Sequence, residues 1–260
     1  MARDTDRLSF WEHLDEFRSV LLKIVSLTGV FGLAAFLFKE ELFAVVFAPK
    51  EADFITYRLL RRIGGSGVLG ETAGFDIPLI NTGLAEQFII HMKTALCAGV
   101  LCASPYILYQ LFRFVSPALY ERERRYAWRT VGCGYLLFLL GAAVSYFILF
   151  PLTFRFLGTY QVSSEVANLI SLQSYMGTLL GMCLAMGLVF ELPVLAWLFA
   201  KLGFISAGFM QRYRRHAIVL ILIAAAIITP TSDIFTLSIV SLPMWLLYEA
   251  SILLVGTTAK

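Results

Sequence analysis

Three carboxylates near the ends of apolar stretches have positions that suit a binding site. Glu16 lies in a charged N-terminal segment, and Glu121 and Glu123 alternate with arginines in the loop sequence SPALYERERRYAWR at 116–129. Lys and Arg alone are enough to hold a loop on one side of a membrane, so the glutamates need a different explanation. A carboxylate pair suits guanidinium groups, because arginine is a rigid two-pronged donor that lysine cannot imitate. If the adjoining helices are neighbours, these carboxylates converge on a ligand that carries adjacent arginines.

The N-terminal segment is predicted to be an amphipathic helix. Its large apolar residues recur at the spacing of one helical face, and they are Phe10, Leu14, Phe17 and Leu21. Glu16 lies on another face, one turn from Glu12, and like charges at that spacing repel weakly. The alternative interpretation of Glu16 is therefore an ordinary solvated helix face.

The composition predicts an integral membrane protein. The chain has 260 residues, of which 59% are hydrophobic and 15% are charged, and its mean hydropathy is +0.78. Soluble domains carry about 25% charged residues, so this chain is far more apolar. No small-residue cleavage site precedes the first apolar run, which is therefore expected to remain as a span. The net charge of +3 is too small to indicate a nucleic-acid-binding protein.

The apolar runs predict an all-α membrane protein with six transmembrane helices. The expected spans are 20–38, 87–111, 131–154, 172–199, 217–229 and 236–255. The fifth covers only 13 residues, or about 20 Å, against a hydrocarbon core of about 30 Å. Pro230 ends it and the sixth begins almost at once, so the last two spans are predicted to form a shallow hairpin in a thinned bilayer.

The distribution of basic residues predicts that both termini are cytoplasmic. With that orientation 14 Lys and Arg lie on the cytoplasmic side and seven on the outer side, which together make the 21 in the sequence. The chain is then a single membrane domain over 1–260, with a cytoplasmic amphipathic segment at 1–19 and a periplasmic cap loop at 39–86. Its cytoplasmic loops are expected at 112–130 and 200–216.

Glu191 lies inside the fourth predicted span and is followed by Pro193. Pro193 cannot donate a hydrogen bond to the carbonyl of Val189, so the helix is expected to kink there. Acidic residues inside spans are rare and usually face the bundle interior or a wet cavity. This position favours a working polar group, and a structural carboxylate is the alternative.

Neither a metal site nor a catalytic centre is indicated by the sequence. The four cysteines lie in apolar runs without a CxxC motif, and the three histidines are scattered without ligand spacing. No Ser–His pair, HExxH motif or paired-aspartate spacing occurs. We therefore expect no enzymatic activity, no cofactor and no metal.

Six motifs, in order, resemble the TatC family, the multi-span core of the twin-arginine protein translocase. They are HLDEFR at 13–18, FAPK at 47–50, FVSPALYERERR at 114–125, YFILFP at 146–151, FELPV at 190–194 and TPTSD at 229–233. The resemblance covers essentially the whole chain, and the motif at 114–125 is the most specific. The sequence departs from the family pattern at Phe17, Val20 and Leu237. The last of these weakens the transfer of a polar role to that position.

The resemblance implies a receptor for twin-arginine signal peptides, within a translocase that moves folded proteins across the membrane using the proton-motive force. It places signal-peptide binding on the N-terminal segment and the first cytoplasmic loop. The residues carried over are Glu16, Arg18, Phe114, Pro117, Leu119, Tyr120, Glu123, Arg124 and Arg125. Glu121 has no clear family counterpart. Pro49 and Asp233 belong to outer-side motifs, and Glu191 is expected to meet a polar group on an incoming TatA-type helix.

The resemblance also implies partners and a location. The partners are TatA- and TatB-type single-span membrane proteins, the twin-arginine signal peptides of folded cargo, and further copies of the chain. The location is a bacterial-type cytoplasmic (inner) membrane, which the chain crosses several times. The alternative function is that of a multi-span secondary transporter of a small solute. That class typically has paired broken helices in two halves, and the sequence contains no convincing internal repeat.

Overall fold

The protein is almost entirely helical over the residues that its structure describes. A computed structural model describes residues 10–64, 78–115, 127–161, 163, 168–229 and 233–258. The helices are α1 (Phe10–Leu37), α2 (Lys39–Phe47), α3 (Ile55–Gly64), α4 (Glu86–Val115), α5 (Ala127–Val144), α6 (Phe150–Thr159), α7 (Leu172–Val189), α8 (Leu192–Lys201), α9 (Ala207–Arg212), α10 (Arg214–Ile228) and α11 (Ile234–Thr258). A 3-10 turn at Ala48–Lys50 follows α2, and a π-helical turn at Ser145–Leu149 joins α5 to α6. Two short strands, β1 (Leu79–Ile80) and β2 (Ile170–Ser171), pair in parallel.

Five helical stretches of the described chain are long and apolar enough to cross a membrane. They are Leu14–Leu37, Glu86–Phe114, Thr130–Thr159, Leu172–Lys201 and Ile234–Thr257. These stretches correspond to the predicted spans one to four and six. The other predicted span, 217–229, lies in α10, whose 15 residues reach about 22 Å. Because that length is below a hydrocarbon core of about 30 Å, the six-span topology stays a prediction.

The helices pack around a core that is rich in methionine and aromatic side chains. α1 packs along α4, α5 lies against α4 and α7, and α11 packs on α8 and α10. The centre of the core is α7, whose almost completely buried residues include Tyr175, Met176, Leu179, Met182 and Met186. Methionine suits this position because its flexible side chain fills the irregular gaps between crossing helices.

Glycines allow α5 and α7 to approach closely. A Cβ on Gly141 would lie 2.5 Å from the carbonyl oxygen of Met186, and one on Gly187 would lie 2.8 Å from the Phe138 ring. Carbon atoms pack at about 3.5–4.0 Å, so no larger residue fits at these positions without moving a helix.

Two prolines in helical stretches free carbonyl groups that neighbouring hydroxyls then use. Pro105 lies inside α4 and cannot donate to the Leu101 carbonyl, which instead accepts from Ser104 Oγ at 2.7 Å. Pro151 near the start of α6 cannot donate to the Phe147 carbonyl, which accepts from the Thr56 hydroxyl. The second bond ties α3 to the π-helical turn.

Candidate functional site

Two of the predicted recognition elements meet at one end of the helix bundle. The ring centroid of Phe17 in α1 lies 5.5 Å from that of Phe114 at the end of α4. Phe114 leads directly into the predicted first cytoplasmic loop, so this contact brings the start of the loop beside the N-terminal segment. In the same stretch of α1, Glu16 is partly buried and Arg18 is exposed.

The rest of the predicted recognition site lies outside the described residues. Its members there are Pro117, Leu119, Tyr120, Glu123, Arg124 and Arg125, and the unassigned Glu121 lies in the same segment. The convergence of Glu16 and Glu123 on one ligand therefore stays a prediction.

An exposed apolar face of α1 lies next to Glu16. Its members are Trp11, Leu14, Phe17, Leu21 and Leu22, and the charged Asp15 and Arg18 lie at its edge. Trp11 is 74% exposed, and the leucines and Phe17 are exposed as well. Three members of the predicted apolar stripe, Leu14, Phe17 and Leu21, belong to this face, and the side chain of the fourth, Phe10, lies outside the described residues. An apolar face with charged residues at its edge suits a peptide that has a charged end and an apolar middle.

Glu191 lies in a two-residue break between α7 and α8. The backbone hydrogen bonds continue through this break, because the N–H of Glu191 donates to Leu188 O at 3.1 Å and its carbonyl accepts from Leu195 N at 2.9 Å. The break is therefore a bend in one long span and not a loop. Pro193 lies in the first turn of α8, so the interruption predicted at this proline is confirmed.

The Glu191 side chain is buried and incompletely hydrogen-bonded. Its exposed fraction is only 5%, and Oε1 has no hydrogen-bond partner among the residues that the structure describes. The carboxyl group lies against Gly134 of α5, where a Cβ would be 2.9 Å from Oε2. A buried acceptor without a donor costs about 1–3 kcal/mol, so a partner that donates a hydrogen bond here would bind favourably.

Three tyrosines hold the predicted cap loop (39–86) against the bundle, at the end opposite the Phe17–Phe114 contact. The hydroxyls of Tyr146 and Tyr175 donate to the carbonyls of Val45 and Val46 in α2, at 2.6 and 2.9 Å. The Tyr57 hydroxyl lies between the carbonyls of Pro49 and Pro151, at 3.3 and 3.0 Å. Pro49, a residue of the outer-side motif FAPK, is buried in the 3-10 turn that follows α2.

The charge state of Tyr57 is set by its surroundings. Burial raises the pKa of its hydroxyl far above the ordinary value, and the Arg155 guanidinium, which lies 5.5 Å from the ring centroid, opposes this in part. The hydroxyl therefore stays protonated and remains a hydrogen-bond donor. None of the three cap tyrosines was predicted from the sequence, because each contacts a carbonyl that is more than 90 positions away along the chain.

Two further carboxylates lie at helix N-termini close to the predicted cap loop (39–86). Asp233 Oδ2 accepts from Thr236 N at 2.7 Å at the start of α11. Glu86 at the start of α4 accepts from the N–H groups of Gly83 and Thr82, and its other oxygen accepts from Gln173 N at 2.9 Å. Sequence reasoning missed Glu86, because the stretch TGLAE at 82–86 does not have the Ser/Thr-x-x-Glu spacing of a capping box: Thr82 lies four residues before Glu86, and the residue three before it is Gly83.

The described part of the chain contains no group of three or more His, Cys, Asp or Glu side chains arranged to hold a metal ion. Two separate regions of the described residues are therefore candidates, the exposed apolar face of α1 beside Glu16 and the buried Glu191 carboxyl group at the α7–α8 bend. The first suits peptide binding at a surface and the second suits a contact within the bundle.

Comparison with known proteins gives one family over almost the whole chain. The family model for "Sec-independent protein translocase protein (TatC)" matches residues 12–243. A protein of that description from Blattabacterium sp. subsp. Periplaneta americana is 32% identical over 97% of this chain and 96% of its own length. The corresponding protein of Desulforapulum autotrophicum is 34% identical over 97% and 86%. Sec-independent protein translocase protein TatCy of Bacillus subtilis is 30% identical over 96% and 89%.

A solved structure agrees with these relatives. The crystal structure of the twin-arginine translocase receptor TatC has a TM-score of 0.76 to this chain and 31% sequence identity, and the alignment covers 96% of this chain and all of the other. The sequence motifs, the helical architecture and the family match agree, and the chain belongs to the TatC family of Sec-independent protein translocase proteins.

Proposed function

We propose that this chain is the receptor for twin-arginine signal peptides and the core of a translocase that moves folded proteins across a membrane. The observation that carries the proposal is the nearly full-length match, in sequence and in fold, to the twin-arginine translocase receptor TatC. The relatives compared above are translocase proteins, so the alternative of a small-solute transporter has no support.

The arrangement at α1 supports a receptor that binds both the arginines and the apolar part of a signal peptide. Glu16 would bind arginines of the signal peptide together with Glu123. The Phe17–Phe114 contact supports this, because it holds α1 against the end of α4, from which the chain continues toward Glu123. Exposed ion pairs contribute about 0–1 kcal/mol each, whereas micromolar binding needs about 8 kcal/mol. The remaining free energy would come from the apolar part of the peptide, for which the exposed apolar face of α1 offers a surface.

The proposal includes a topology and partners. The chain would cross a bacterial cytoplasmic membrane six times, with both termini and the loops at 112–130 and 200–216 in the cytoplasm and 39–86 outside. It would assemble with TatA- and TatB-type single-span proteins and with further copies of itself, and the proton-motive force would drive transport.

Cysteines introduced at Ser116 and Ser206 should react with an impermeant reagent only from the cytoplasmic side. Reaction at Ser116 from outside intact cells would contradict this topology.

Binding of a signal peptide to the purified chain tests the receptor function. A photoreactive peptide with adjacent arginines should crosslink to wild type, and the same peptide with lysines should crosslink several-fold less, because the bidentate geometry is lost. Glu16→Ala and Glu123→Ala should each weaken binding by roughly threefold to tenfold, which corresponds to about 0.6–1.4 kcal/mol. Glu41→Ala is the control, since Glu41 is an exposed carboxylate in α2, outside the predicted recognition site. Unchanged binding in both glutamate variants, with the protein still assembled, would exclude these carboxylates as the arginine-binding groups.

A further inference from the structure

The carboxyl group of Glu191 lies in a recess that exists because residue 134 has no side chain. A Cβ on Gly134 would lie 2.9 Å from Oε2, 3.4 Å from Oε1 and 3.6 Å from Cδ of Glu191. Contacts between carbon and oxygen atoms normally begin at about 3.3 Å. A methyl group at this position therefore requires the carboxyl group to move.

Gly134 differs from the other glycines of α5 in what it faces. A Cβ on Gly141 would meet the Met186 carbonyl and the Phe190 ring, so Gly141 allows two helices to pack. A Cβ on Gly132 would meet nothing within 4 Å. Gly134 instead faces the end of a flexible side chain, which can turn away without moving a helix. A methyl group at residue 134 is therefore expected to displace the carboxyl group and to leave the fold intact.

The carboxyl group has a hydrogen-bonding capacity that the described residues do not use. Oε1 is buried and lacks a partner within that part of the chain, while the backbone of Glu191 is fully engaged at the α7–α8 bend. A group that must accept or donate a hydrogen bond to an incoming partner depends on its position, because hydrogen bonds weaken steeply when their geometry is distorted.

We propose that Gly134 is a positioning residue for translocation, which holds the Glu191 carboxyl against α5 by leaving space for it. This inference rests on a role that we propose for Glu191 within the translocase, in which its buried carboxyl group meets a polar group on an incoming TatA-type helix during translocation. It assigns to α5 a part in that step, although Gly134 itself contacts no peptide and carries no reactive group.

Transport and signal-peptide crosslinking, measured on the same membranes, test the inference. Gly134→Ala should lower transport about tenfold, a size that contacting residues commonly show, while crosslinking and the amount of protein stay at the wild-type level. Gly132→Ala, two positions away on the same helix, should leave transport unchanged because its methyl group enters open space. Normal transport in Gly134→Ala would overturn the inference.

A change in the length of the acidic side chain separates positioning from simple helix packing. In the Glu191→Gln background, which keeps the side-chain length, Gly134→Ala should again lower transport about tenfold. In the Glu191→Asp background the carboxyl group is one methylene further back, so the same methyl group should lower transport less than twofold. Equal losses in all three backgrounds would mean that Gly134 only packs helices, and this result would overturn the inference. If transport in the Glu191→Asp background is too slow to compare, the thermal midpoint in detergent decides. It should not fall with Gly134→Ala, because the carboxyl group turns away without moving a helix. A clear fall would mean that Gly134 packs helices and would overturn the inference.

The two proposals fail in different ways. If Glu191→Ala transports as well as wild type, the proposed role of Glu191 is wrong and the positioning role falls with it. If Glu191→Ala abolishes transport while Gly134→Ala does not reduce it, only the role of Gly134 is wrong.

Discussion

Glu86 and Glu191 are buried to a similar degree, but their carboxylates differ in how completely they are hydrogen-bonded. Their exposed fractions are 7% and 5%. Glu86 accepts hydrogen bonds from two backbone N–H groups of its own turn and from Gln173 N at the start of α7. Glu191 has an oxygen without a partner among the described residues.

The difference is the one expected between a carboxylate that stabilises the fold and one that acts in translocation, as we propose for Glu191. Buried polar groups in proteins are nearly always hydrogen-bonded, and a group that is not needs an explanation. At Glu86 the bonds join the start of α4 to the start of α7, so its contribution is to stability. At Glu191 the fold tolerates an unsatisfied acceptor, which is typical of sites where function is kept at the expense of stability.

The largest expected effect is on the assembly of a Glu86 variant. Glu86→Met would leave the N–H groups of Thr82, Gly83 and Gln173 without their acceptor. We expect a strong loss of membrane-inserted protein and a lower thermal midpoint in detergent. Gln87→Met, at the exposed neighbouring position, is the control and should behave like wild type. If the Glu86→Met protein accumulates and unfolds like wild type, Glu86 does not stabilise the fold and the contrast with Glu191 is wrong.

The corresponding substitution at Glu191 should change the stability of the protein in the opposite direction. Glu191→Met removes an acceptor without a partner and fills the space with a flexible apolar side chain. We expect the free energy of unfolding to rise by about 1–3 kcal/mol, the usual penalty of an unsatisfied buried group, while transport is lost. Thermal unfolding of the purified variants measures this change, with Leu192→Met as the control. A clear decrease in stability would mean that Glu191 contributes to the fold as Glu86 does.

The smallest effect is expected at Asp53, a carboxylate with two arginine partners and almost no burial. Arg61 lies 3.1 Å from Asp53 Oδ1 and Arg58 lies 3.8 Å from it, and the Asp53 side chain is 77% exposed. Exposed ion pairs contribute about 0–1 kcal/mol, so Asp53→Asn should change the free energy of unfolding by less than about 1 kcal/mol. A larger loss in thermal unfolding would show that the number of partners matters more than burial.

Local patterns in the sequence were enough to predict much of the fold. Apolar runs of spanning length predicted the five long helical stretches, and the short run at 217–229 gave the shorter helix α10. The spacing of Phe17 in α1 predicted an apolar helix face, and Pro193 marked the bend beside Glu191. Each of these features depends on residues within a few turns of one another.

Features that join distant parts of the chain were not predicted. Tyr175 reaches a carbonyl 129 positions away and Glu86 binds an N–H 87 positions away. The recess at Gly134 depends on a side chain from another helix. The period of a helix says which face is apolar, but it does not say which residue of another helix lies opposite. Such pairings require the packed structure.

The central claim is that peptide capture and translocation use different parts of the molecule, the α1 region and the Glu191 bend. The most direct measurement is a pair of assays, signal-peptide crosslinking and cargo transport, on Glu191→Ala and Glu191→Gln at matched protein levels. Glu191→Ala should keep crosslinking and lose transport by about 10- to 150-fold, the equivalent of a hydrogen bond worth about 1.5–3 kcal/mol. Glu191→Gln should keep much of the transport, because Gln also donates and accepts hydrogen bonds. Transport by Glu191→Ala at the wild-type rate, or loss of crosslinking together with transport, would contradict this account.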